Sequence, residues 1–125
     1  MQVIEQKGGS SIESIAKAKL IAKAGDELKA QSITVMDVRK VANFTEYFVI
    51  CTGGSNTQIS AISANIQKRL SAHKKKPFAC EGTEKDSWVV LDYGDVIIHL
   101  FDKEKRLYYD LERLWGDAKF VDWEN

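Results

Sequence analysis

The segment Tyr47-Phe48-Val49-Ile50-Cys51 is an unbroken apolar run that stops at Thr52-Gly53-Gly54. A strand with one wet face alternates polar and apolar residues, whereas an unbroken run marks a strand covered on both faces. Ser55-Asn56-Thr57-Gln58 follows at once and reads as a capping box: Ser55 caps the first turn and Gln58 reaches back to a free N–H. Behind it, Ile59, Ile62, Ile66 and Leu70 recur at helical spacing and form one buried stripe. A doubly covered strand joined through a glycine turn to an amphipathic helix commits the chain to a sheet with helices against it.

The flanking sequence fits that frame. Gly8-Gly9 and then Ser10-Ser11-Ile12-Glu13, a further capping box, predict a helix from about Ser11 to Lys29, with Ile15, Ala18, Ile21, Ala22 and Leu28 on its packing face. Ser32 to Val38 is β-branched and alternating, a strand. Lys68, Arg69, His73 and Lys74 to Lys76 close the central helix before Pro77 stops it. Phe78 to Glu81 predicts a short strand. Trp88 to Asp92 and Asp95 to Phe101 flank Tyr93-Gly94 as a tight hairpin, with Gly94 at positive φ. Leu107, Leu111 and Leu114 continue a last helical stretch ended by Gly116 as its C′ residue. The expected fold is α/β, in the order α-β-β-α-β-β-β-α, with a mixed sheet of about five strands.

At 125 residues the chain is one domain long and buries roughly two-thirds of its unfolded surface without staples. Residues 1–125 are therefore read as one domain, with 1–9 and 119–125 peripheral. Cys51 and Cys80 lie far apart in apolar stretches, the pattern of buried, reduced thiols. The first residues lack a signal-peptide layout and no apolar run reaches the length of a membrane span, so a cytoplasmic protein is expected.

Net charge is zero but unevenly spread. Residues 1–80 carry 12 Lys and Arg against 6 Asp and Glu, and residues 81–125 carry 6 against 12. An acidic C-terminal half repels phosphates and suits a basic protein, provided that folding does not interleave the charges. Trp88, Tyr93, Tyr108, Tyr109, Trp115, Phe120 and Trp123 crowd among those acids. Tyr and Trp are enriched where partners are gripped, although several of these rings must also pack the last helix on the sheet.

Two other chemistries compete. Asp92 and Asp95 straddle the hairpin turn and sketch a divalent-ion site, with Gly53-Gly54-Ser55 before a helix as a phosphate cradle, which together outline a nucleotidyltransferase. Their spacing does not place two carboxylates on one face of a strand, the glycine turn falls short of a phosphate loop, and both acids suit a turn. Lys74-Lys75-Lys76, with Lys68 and Arg69, suits RNA phosphates or simply a solvated helix end. His99 and His73 form no catalytic set and no metal-ligand spacing. Neither a metal nor a cofactor is expected.

Leu91 to Phe101 (Leu-Asp-Tyr-Gly-Asp-Val-Ile-Ile-His-Leu-Phe), preceded by Trp88-Val89-Val90, resembles the signature of the ribosomal silencing factor family, RsfS, also called Iojap. Tyr108 to Trp115 matches its closing motif. Ile33 to Val38, Thr45 to Ile50, Gly54-Ser55-Asn56, Gln58 and Glu81-Gly82 fall in the family's order, so the resemblance spans about residues 12 to 118. Glu46 stands where an aspartate is usual, and Cys51 where a small residue is frequent. The resemblance implies a nucleotidyltransferase-like fold without enzymatic activity. It also implies binding to the large ribosomal subunit through ribosomal protein L-fourteen. There, members block joining of the small subunit and repress translation, or assist large-subunit assembly. It implies a homodimer, no membrane partner and no direct DNA binding. The expected contact region is Trp88, Asp92, Tyr93, Asp95, His99, Tyr108, Glu112 and Trp115.

Overall fold

The computed structural model describes residues 12–83 and 87–124. Helix α1 (Ser14–Glu27) leads into strand β1 (Gln31–Asp37), and β2 (Tyr47–Thr52) into α2 (Asn56–Ser71). Three strands follow, β3 (Ala79–Thr83), β4 (Trp88–Asp92) and β5 (Val96–Phe101). Two short helices, α3 (Lys103–Tyr109) and α4 (Leu111–Leu114), precede β6 (Lys119–Val121).

The sheet has six strands in the order β3-β4-β5-β2-β1-β6. Only β2 and β5 pair in parallel; the other neighbours are antiparallel. The unbroken apolar run is the central strand β2, buried along its whole length as the sequence predicts. The sixth strand, β6, lies in the segment read as peripheral and pairs with β1 at the sheet edge, Met36 opposite Phe120.

Helices α1 and α2 share one face of the sheet. Ala18, Ile21 and Ala22 of α1 and Ile59, Ile62, Ile66 and Leu70 of α2 pack there on Val35, Val49, Leu91 and Ile98. Side chains of α2 also satisfy the free carbonyls at the end of α1. Asn65 donates to the Ala24 carbonyl at 2.8 Å, and Gln58 to the Leu28 carbonyl at 3.0 Å. The capping box of α2 is present: Ser55 Oγ accepts from the Gln58 N–H at 3.0 Å, and Gln58 Oε1 accepts from the Gly54 N–H.

Local expectations also need correction. Ser10, the expected cap of α1, lies outside the described residues, and the helix begins at Ser14 behind Glu13, whose side chain makes no cap hydrogen bond. Helix α2 ends at Ser71, before Pro77, because Lys74 turns left-handed at φ 60° and lets the Lys75 N–H bond back to the Leu70 carbonyl. The last helical stretch is two helices. Asp110, at φ 45°, breaks it; Gly116 is not at positive φ. The break leaves Leu107 and Leu114 exposed while Leu111 packs under the sheet. Cys51 is buried and its thiol is pushed up to about 12 by that burial, but Cys80 lies on the edge strand β3 and is exposed. Gly94 is at φ 85° as the hairpin requires, and a Cβ there would sit 2.7 Å from the Phe78 ring.

Candidate partner-binding face

Alternation along each strand sends one set of side chains to the helices and the other to the opposite face. That second set comprises Phe48 of β2, Ala79 and Glu81 of β3, Trp88, Val90 and Asp92 of β4, and Ile97 and His99 of β5. Among the described residues, no long helix covers them. The turn after β1, at Phe44, and the α4 end, at Leu111 and Trp115, close over part of this face, and Tyr109 of α3 stacks on Trp88; a groove of about 330 Å³ is left.

The rings that line the groove, Phe44, Phe48, Trp88, His99 and Trp115, belong to a connected series that continues beyond it through Phe101, Tyr109 and Tyr108. Phe44, Phe48 and Trp115 meet pairwise at 5.6–6.1 Å between centroids. Phe48 meets His99 edge-on at 5.5 Å, and His99 stacks on Phe101 at 5.8 Å. Phe101, Trp88 and Tyr109 stack on one another at 5.5–6.3 Å, and Tyr108 meets Tyr109 edge-on at 5.1 Å. Edge-on and offset contacts between aromatic rings add about 0.5–1.5 kcal/mol each beyond area burial.

Charge in the groove has one sign. Among the described residues, Glu81 and Asp92 are its only ionic lining residues. Burial pushes the His99 imidazole down to about 4, so at neutral pH it is an uncharged ring of the floor.

The structure brings together Trp88, Asp92, His99 and Trp115 of the expected contact set and separates the rest. Tyr93 belongs to the other side of the sheet. Only 5% exposed, it packs in the helix-side core with Leu91, and burial raises its hydroxyl to about 12. Asp95 is engaged by α1, accepting from Ser14 Oγ at 2.6 Å and Lys17 Nζ at 2.7 Å. Burial alone would raise its carboxyl; the Lys17 and Ser14 hydrogen bonds overcome this and hold it below the ordinary value. Glu112 is paired with Arg106 at 2.6 Å. Tyr108 stands 79% exposed on α3, at the far end of the ring series. Glu81, Phe44 and Phe48, which the sequence reading left out, line the groove.

The same geometry takes apart the metal-and-phosphate sketch. Asp92 faces the groove and accepts from the Gly94 N–H at 2.8 Å, while Asp95 faces the helices, so the two carboxylates do not converge. The glycine turn before α2 is occupied from within, with the Gly53 N–H on the Phe101 carbonyl at 2.9 Å and the Gly54 N–H on Gln58. Among the described residues, no three His, Cys, Asp or Glu side chains group as metal ligands.

The sequence profile of the family described as ribosomal silencing factor during starvation, RsfS, matches residues 11–125. The chain belongs to this family. The ribosomal silencing factor of Bacillus subtilis is 38% identical over 104 residues, covering 83% of this chain and 88% of the relative. A crystal structure of a protein from Chromobacterium violaceum has the same fold, with a TM-score of 0.80 at 32% identity over 84% of this chain and 88% of that one. A mouse protein named for mitochondrial assembly of the ribosomal large subunit is 33% identical over 96 residues, covering 74% of this chain and 42% of the relative. Membership in the ribosomal silencing factor family thus rests on most of the chain, the groove-bearing strands included.

Proposed function

We propose that this silencing-factor family member docks through the ring-floored groove onto ribosomal protein L-fourteen of the large subunit and blocks the small subunit from joining. The observation that carries the reading is the groove itself: an aromatic floor with two carboxylates and, among the described residues, no cation lining it. Rings such as Trp88 and Trp115 are the residue types that supply about 2 kcal/mol or more each at an interface centre. Glu81 and Asp92 speed the encounter with a basic surface. Blocking then follows from excluded volume and needs no reaction, so the protein works as a docking factor in the cytoplasm and not as an enzyme. Trp88, Asp92, His99 and Trp115 form the contact, with Glu81, and Tyr108 extends it. Tyr93 and Asp95 support it from behind the sheet, and Glu112, held by Arg106, supports it from α4.

The name of the mouse relative favours a second reading, in which the same docking assists assembly of the large subunit. Both readings need the groove. Co-sedimentation of the pure chain with isolated large subunits tests them. Glu81→Lys and Trp115→Ala, each checked for a native circular dichroism spectrum, are expected to weaken binding by about tenfold or more. Undiminished binding by both variants would place the contact elsewhere. A thermal shift on adding nucleotide with magnesium would instead favour the transferase reading.

A further inference from the structure

The surface behind the sheet, away from the groove, carries the opposite charge. From Tyr47 to Cys80 the sequence holds five cations, Lys68, Arg69, Lys74, Lys75 and Lys76, and no carboxylate at all. Arg69 is engaged by Glu27 of α1. The four lysines make no ion pair among the described residues. Lys68, Lys75 and Lys76 line one cleft of about 610 Å³ with Gln67 and Ser71, and among the described residues no carboxylate lines it. The helical part of that lining, Ala64, Gln67, Lys68 and Ser71, recurs at i, i+3, i+4 and i+7, so it is the outer face of α2, opposite the buried Ile62, Ile66 and Leu70.

Compensation of the helix dipole does not account for this cluster. That effect falls off within the last turn, and α2 ends at Ser71, so Lys75 and Lys76 lie beyond it. Lys74 is more pointed still. It occupies the left-handed position after the helix at φ 60°, where glycine is the favoured residue, and a cation stands there instead.

We infer that this cleft binds the phosphodiester backbone of RNA. Lysines match phosphates as point charges. Gln67 and Ser71 offer the hydrogen-bonding groups that ribose hydroxyls and phosphate oxygens accept or meet. Phe78, two residues past Lys76 and 81% exposed, presents a ring for base stacking. A lipid surface is the poorer fit, because among the described residues Ala64 and Pro77 are the only apolar lining of the cleft, and Phe78 beside it is a single ring and not the apolar face that a membrane-surface helix buries. The protein then presents an acidic, aromatic face to protein and a basic face to RNA, on opposite sides of one sheet.

The test uses the full chain with a short naked RNA duplex, a short oligouridine, and vesicles containing phosphatidylglycerol, with no ribosomes present. RNA binding at low salt is expected, with log affinity falling against log salt at a slope of about −3, near −0.7 to −0.9 for each lysine. Lys75→Gln removes one cation of the cleft, so the slope should shrink by about 0.7–0.9 while the circular dichroism spectrum stays native. The combined Lys68→Glu, Lys75→Glu and Lys76→Glu variant should lose about tenfold or more in RNA affinity. Trp115→Ala should leave RNA affinity unchanged, which separates this inference from the groove reading. Absence of RNA binding at low salt, a slope indifferent to these substitutions, or binding to the vesicles in preference to RNA would each overturn it.

Discussion

Lys17 Nζ lies 2.7 Å from Asp95 Oδ1 and ties the start of α1 to the turn between β4 and β5. Lys17 is only 5% exposed, so Asp95→Asn would strand a buried ammonium without its counter-charge. A loss of about 2–4 kcal/mol in urea unfolding is expected. The pH dependence has a definite sign. A carboxyl held below its ordinary value contributes stability above its unfolded pKa of about 3.9, and that contribution is lost as pH falls through the folded value. The gap between the native chain and Asp95→Asn should therefore narrow below about pH 4.

His99 offers a second acid test. Its imidazole titrates at about 4 in the fold and about 6.5 when unfolded. The unfolded chain thus takes up this proton first, and stability falls as pH drops from about 6.5 toward 4. His99→Phe keeps a ring against Phe48 and Phe101 and should flatten this part of the pH profile. Proton NMR of His99 in the native chain should show no titration near neutrality.

Tyr93 now predicts a stability effect, not a direct binding effect. Its hydroxyl is buried with no hydrogen-bond partner among the described residues. Tyr93→Phe should therefore leave stability unchanged or raise it by up to about 1 kcal/mol. Tyr93→Ala should lower it by about 3 kcal/mol through the cavity left in the helix-side core. Thermal melts of the two variants, run side by side, check both signs.

Arg106 latches the segment that closes the groove. It donates to Thr52 Oγ1 at 2.9 Å, to Thr34 Oγ1 at 2.9 Å, to Glu112 at 2.6 Å and to the Ser32 carbonyl. A lysine cannot reproduce that fork. Arg106→Lys should cost about 2 kcal/mol and speed amide exchange from Leu111 to Trp115. Large-subunit binding should weaken with it, because Trp115 follows α4 directly.

Much of this arrangement was legible in the sequence where the signal is local. The apolar run of β2, the Ser55 to Gln58 cap and the Gly94 hairpin depend on neighbours in the chain, and all three are present. Strand β6 was not legible: three residues carry little pattern, and their pairing with β1 is long-range. The left-handed break at Asp110 has no glycine to announce it. The sidedness of Tyr93 was readable, since Val89, Leu91 and Tyr93 alternate with Trp88, Val90 and Asp92, and its placement in the contact set ignored that parity. Phe48 and Glu81 escaped because only the register of β2 on β5 and β3 on β4 brings them to Trp88. The Lys17–Asp95 pair spans 78 positions, which no local pattern encodes.

The most direct measurement mixes isolated small and large subunits with saturating pure chain and follows joining on a sucrose gradient. A groove that occupies the subunit-facing side of the large subunit predicts fewer joined particles, with the chain migrating on the large subunit and Glu81→Lys restoring joining. Joining that proceeds undiminished while the chain stays bound would contradict the account.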